Sequence, residues 1–165
     1  MPRLLLRLII VSLFAASPVL AQQGVQISFG QSLQLEGTAL EVTADDLTVD
    51  QTTGATEFTG NVVAEQGDLH ISAQSLRLVY TQDTQTGSQR IARLVASGGV
   101  TMATPTEALE AREAVYDMDA QTLEMTGSVM LVQGANMLSG ERFVADLRSG
   151  SGRMMGRVRT IIRME

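Results

Sequence analysis

The chain has 165 residues, 12 cationic and 18 acidic side chains and a formal net charge of −6, so it is no general nucleic-acid binder. It has no cysteine, which excludes disulfides, thiolate metal sites and cysteine nucleophiles. Its single histidine, His70, leaves no Ser-His-Asp set, and neither a phosphate-binding loop nor a nucleotide glycine fingerprint is present.

Residues 1–21 read as a secretory leader. Arg3 and Arg7 form a charged start, residues 8–16 an apolar run, and Val19, Leu20 and Ala21 a small-residue cleavage site. The alternative is an uncleaved anchor, but the apolar run is short for a span of ~20 residues and Pro18 interrupts it. Cleavage before Gln22 leaves a single domain, residues 22–165, with net charge −8. Without disulfides its stability must come from sheet hydrogen bonds and burial.

Residues 22–37 contain two short alternating runs around Gly30. Val25, Ile27 and Phe29 share a face, which predicts a first strand or hairpin at an edge. Next, A-D-D-L-T-V-D-Q-T-T-G-A-T-E-F-T-G-N-V (residues 44–62) alternates apolar and polar residues, turns at Thr52, Thr53 and Gly54, and alternates again through Phe58. That is the signal of two half-buried strands joined by a tight turn.

This unit recurs. Its leading small residue returns at Ala73, Ala111 and Gly140, and its closing Gly-x-Val at Gly98, Gly127 and Gly156. Small residue to glycine is 16 positions in three of the four units and 25 in the second, and glycine to the next small residue is always 13. The period is therefore 29, with nine extra residues in unit two, within the polar, turn-forming residues 81–89. The turn aspartate repeats at Asp50, Asp117 and Asp146 and is read as an Asx-turn cap rather than a row of catalytic acids. Asp45 and Asp46 are adjacent but point to opposite faces of a strand, so they form no dyad.

In residues 69–80 the apolar parity switches around Ala73 to Ser75, which predicts a bulge, and His70 alternates outward. Gly98 and Gly99 mark a second bulge or a close backbone approach within residues 91–103, read as a strand pair. The stretch E-A-L-E-A-R-E-A in residues 107–114 has high helix propensity. The repeat overrules this, because residues 111–117 align with residues 44–50 and predict strand. Leu123, Met125, Val129 and Leu131 share a face, as do Phe143, Ala145 and Leu147. Residues 153–164 read as one last strand with Met154, Val158 and Ile162 on one face. The whole is an all-β chain of stacked antiparallel strand pairs around one apolar interior.

The units A-x-x-L-x-V-D-x-x-T-G and E-F-T-G-N-V-V-A-E-Q-G-D-L-x-I-x-A, followed by L-x-A-S-G-G-V and A-x-x-A-V-Y-D, resemble the OstA-like lipopolysaccharide-transport family over residues 40–158. The likeness is to its periplasmic bridge member. The inner-membrane member, which keeps its anchor, is an alternative, and the outer-membrane member carries a large barrel for which this chain has no room. The resemblance implies a single open, V-shaped β-jelly roll whose apolar groove holds lipid A acyl chains. It implies no enzyme activity, no cofactor and no metal. Implied partners are lipopolysaccharide, an inner-membrane LptC-like protein, an outer-membrane LptD-like protein and further copies of the chain, head to tail.

Strand parity assigns Phe58, Val62, Leu76, Leu78, Val100, Met102, Leu123, Met125, Val129, Leu131, Phe143 and Met154 to that groove. The assembly edges are Val25, Ile27 and Phe29 at one end and Arg157, Val158, Arg159 and Ile161 at the other. Acids crowd residues 36–83 and arginines the last 26 residues, so the two ends of the stack are expected to carry opposite charge. Two rivals remain open: a polymerising repeat protein without cargo, and an enzyme on a β-helix-like scaffold, for which no face collects acids and bases.

Overall fold

The structure, a computed structural model, describes residues 39–163. The expected leader and the expected strand at Val25, Ile27 and Phe29 lie outside those residues. Every regular element described is a β-strand: β1 Glu41–Thr43, β2 Asp46–Val49, β3 Thr56–Gln66, β4 Leu69–Gln82, β5 Gln89–Ala103, β6 Glu107–Asp117, β7 Thr122–Gln133, β8 Asn136–Asp146, β9 Ser151–Met155 and β10 Arg159–Ile161. They form one open antiparallel sheet in sequence order, β3 through β8. At one edge β1 and β2 both pair with β3, and at the other β9 and β10 both pair with β8. The fold is all-β, as expected, and residues 111–117 are strand within β6. Helix propensity loses there because the alternating burial of Leu109, Ala111, Ala114 and Tyr116 stabilises a pleated segment between two neighbours.

The 29-residue repeat has a structural cause. Each Gly-x-Val is a bulge: Gly60 and Asn61, Gly98 and Gly99, Gly127 and Ser128, and Gly156 and Arg157 are consecutive residues with positive φ. At three of these, β3, β5 and β7 gain one residue on a neighbour; Val62 pairs with Ala73, for example, while Thr59 pairs with Ser75. The residue after each small residue crosses the glycine. Asp45 N–H donates to Gly60 O at 2.9 Å and Glu141 N–H to Gly156 O at 3.2 Å. Gln74 and Arg112 pass so close to Gly98 and Gly127 that no Cβ fits.

The intervening strands change parity at the same line. In β4, Leu69, Ile71 and Ala73 are buried, then Leu76 and Leu78; in β6, Leu109 and Ala111, then Ala114 and Tyr116. The sheet therefore folds over along this corner and keeps one continuous apolar face inward on both sides of it. Leu69, Ile71 and Met102 from one side line the same small cavity as Leu94, Tyr116 and Leu123 from the other. The bulge predicted near Ala73 is correctly placed, but its extra residues belong to β3 and β5.

Two readings need correction. Residues 91–103 are part of the single long strand β5, and residues 153–164 are not one strand. The fourth bulge breaks the latter into β9 and β10, so Arg157 and Val158 lie in the break and only Arg159 and Ile161 belong to the edge strand. The turn aspartates cap as expected. Asp50 Oδ1 accepts from Thr52 N–H at 2.8 Å, Asp117 Oδ1 from Ala120 N–H at 2.9 Å, and Asp146 Oδ1 from Arg148 and Ser149 N–H at 2.9 Å each. Asp83 does the same in the lengthened hairpin of unit two.

Candidate functional site: an apolar interior with two unlike edges

The inward row of each strand follows from the two-residue period, reset at the corner. Ten of the twelve residues assigned to the groove are buried in one cluster: Val62, Leu76, Leu78, Val100, Met102, Leu123, Met125, Val129, Leu131 and Phe143. Phe58 and Met154, near opposite edges, are half-buried and pack against it. The groove assignment leaves out Leu69, Ile71 and Leu109, which lie beyond the switch, Tyr116, and Leu147, which parity puts on one face with Phe143. Continuing the count through each small residue would have recovered the first three.

The interior is filled by its own side chains. Met125, Leu131 and Ala145 are 0% exposed. The cavity between the two layers is about 20 Å³, room for roughly one water. An acyl chain enters only if the layers part. No backbone hydrogen bond among the described residues joins them across the interior; strand pairing runs only between neighbours around the corner. Away from the corner, where the strands themselves run from one layer into the other, the layers meet through side-chain contact.

The outer face is polar and cross-braced. Arg77 donates to Glu57 at 3.0 Å and Arg142 to Glu124 at 2.7 Å, and each bond holds its carboxylate below its ordinary pKa. Asp117 is also lowered, first by the Ala120 N–H and then by Arg93. His70 is outward, as expected, with Nδ1 2.9 Å from Glu65 Oε1. Arg90 pairs with Asp119.

The two edges differ. At the β1–β2 edge, Leu47 pairs with the inward Phe58 and Val49 with Thr56, so both face the interior side, yet they are 58% and 57% exposed. Glu41 and Asp46 carry no ion pair there among the described residues. At the β10 edge Val158, Ile161 and Ile162 are exposed, and Arg153, Arg157, Arg159 and Arg163 carry no ion pair among the described residues. Among the described residues each edge thus shows apolar groups beside unpaired charge, negative at one and, with four arginines against Glu141, net positive at the other.

A repeat-built sheet folded around an aliphatic interior defines a class: an open β-jelly roll that encloses apolar material. Residues 41–151 match the family described as LptA/(LptD N-terminal domain) LPS transport protein, and the chain belongs to that family. No curated protein matches it. Its fold is similar to that in the crystal structure of LptH, the LptA-homologous periplasmic component of the conserved lipopolysaccharide transport device from Pseudomonas aeruginosa. The TM-score is 0.65 and the identity 16%, over 77% of this chain and 96% of that one.

Proposed function

We propose that the chain is a periplasmic bridge component of lipopolysaccharide transport, exported by a cleaved leader over residues 1–21. It binds cargo rather than catalysing a reaction. The observation that carries this reading is the continuous aliphatic inner face of a folded sheet whose layers share no backbone hydrogen bond. Acyl chains cannot cross water exposed, since each buried methylene contributes ~0.8 kcal/mol. When the layers part, contacts between protein side chains are exchanged for contacts with acyl chains, which offsets the cost of opening.

The unlike edges support assembly. The basic β10 edge adds to the acidic β1–β2 edge of the next copy, or of an LptC-like or LptD-like partner, by strand pairing. Opposite charge sets the polarity. Such a heterologous contact grows open-endedly rather than closing as a dimer.

The filled interior favours one rival, an end-to-end polymer without cargo. Mass spectrometry of the mature protein, purified from a cell that makes lipopolysaccharide, separates the two. Co-purified acyl chains support transport; a lipid-free protein that still forms long oligomers supports the rival.

A further inference from the structure

Glu107 is the one charged side chain among the described residues that is buried, at 8% exposure. It shares the inward face of β6 with Leu109 and Ala111, one row beyond Leu109 toward the turn at residues 104–106. The turn is built to hold it. Its N–H donates to Thr104 Oγ1 at 3.1 Å, and its carbonyl accepts from Thr104 N–H at 2.8 Å. Its Oε1 accepts from the side-chain amide of its cross-strand partner Gln133 at 2.7 Å. Its Oε2 is buried with no hydrogen-bond partner among the described residues.

A buried carboxyl oxygen without a donor costs free energy, and an apolar side chain in its place avoids that cost. Glu107 ends the inward row of β6 on the side away from the corner, beside the turn at residues 104–106. This is where the polar end of an amphiphile lies when its chain is inside.

We propose that Glu107, oriented by Gln133, is a polar docking point at the rim of the interior, taking a hydrogen-bond donor next to an acyl chain, such as an amide N–H. The inference rests on the reading that the interior takes acyl chains. Oε2 accepts the donor, and Gln133 keeps Oε1 occupied so that the carboxyl presents its other oxygen. Burial raises the Glu107 carboxyl above its ordinary 4.5, against the lowering effect of Gln133. That direction fits a group whose polar partner is supplied by something else.

The test uses two amphiphiles with the same chain and sugar head, N-dodecanoylglucamine and N-dodecanoyl-N-methylglucamine. They differ in the amide nitrogen, which carries a hydrogen in the first and a methyl group in the second, so the Glu107→Met comparison separates the lost donor from the added methyl. Each is titrated, below its micelle concentration, against the neutral fluorophore N-phenyl-1-naphthylamine bound to the mature protein. The wild type is expected to prefer the secondary amide by about tenfold, the upper end of what one hydrogen bond contributes. Glu107→Met removes the preference by weakening only the secondary amide, and Glu107→Gln, which keeps an acceptor, retains part of it. Equal displacement by both compounds in the wild type overturns the docking point while leaving the cargo reading intact. So does a preference that survives in a folded Glu107→Met protein. If neither compound displaces the fluorophore, both readings fall. The wild-type comparison stands even where a variant does not fold.

Discussion

Arg112 occupies the space that the missing side chain of Gly127 leaves. A Cβ built on Gly127 would lie 2.8 Å from Arg112 Cβ and 2.9 Å from its Cγ and Cδ. The same crossing joins Asp45 to Gly60, Gln74 to Gly98 and Glu141 to Gly156, and it draws the corner along which the sheet folds.

Gly127→Ala should therefore cost well over the ~1 kcal/mol of a left-handed alanine, because Arg112 must also move. Gly134→Ala, at a φ of 56° with nothing within 4 Å, should cost only that ~1 kcal/mol. Urea denaturation compares the two; equal losses would show that the crossing does not restrict the corner.

In the aspartate-capped turns Gly54, Gly87 and Gly150 take a positive φ four residues after the aspartate, while Gln121 holds that place with φ 52°. Gln121→Gly relieves the strain and loses only an exposed 3.1 Å bond from Arg148 Nε. We expect a gain of ~0.5–1 kcal/mol, read as a higher thermal midpoint. A lower midpoint would mean that the Arg148 contact outweighs the backbone term.

Met125→Ala should destabilise by ~2–5 kcal/mol, since Met125 is 0% exposed. A carboxylate there would unfold the protein before it reported on cargo. Leu47→Asp with Val49→Asp is the sharper probe, as both residues are exposed at the β2 edge. The double variant should keep its circular dichroism and thermal midpoint but lose co-purified lipid or self-association. Unchanged lipid and unchanged oligomers would remove this edge from the proposal.

Stability should peak in mildly acidic solution. Asp50, Asp83 and Asp146 are lowered from their ordinary 3.8 chiefly by hydrogen bonds within their turns. Their contribution is present above the unfolded value and lost as pH falls through the folded one. Glu107 acts in the opposite sense: its raised pKa makes stability fall as pH rises from 4.5 through the folded value. Thermal midpoints of wild type and Glu107→Met between pH 4 and 8 should diverge, with the variant gaining at the upper end. Parallel curves would mean that Glu107 is not buried as a carboxyl.

Deleting residues 157–165 should leave a folded monomer, because β10 is a three-residue edge strand of exposed residues that contributes nothing to the buried core. In the full chain, added salt should weaken association, since exposed charges are screened within ~8 Å. Arg159→Glu should weaken it further, and mixing with an Asp46→Arg copy should restore it. Light scattering across concentration reads all three, and long oligomers from the truncated protein would sink the edge-pairing scheme.

The spacing of small residues and glycines by itself determined that the chain is built of repeated strand pairs and that residues 111–117 are strand despite their helix-forming composition, and local parity and the Gly98-Gly99 pair marked two of the places where the sheet bulges. A repeat exposes such constraints because the same backbone conformation must be met at Gly60, Gly98, Gly127 and Gly156. Side-chain parity placed twelve residues on the inner face for the same reason: alternation is local. Only the tertiary structure decided what depends on distance in space. Leu69, Ile71 and Met102 from one side of the corner meet Leu94, Tyr116 and Leu123 from the other, a contact that no local pattern states. The interior closes to about 20 Å³ because the corner brings the two layers into contact. Glu107, one acid among many in the sequence, is buried because its strand parity turns it inward, where its carboxyl meets Gln133 of the neighbouring strand.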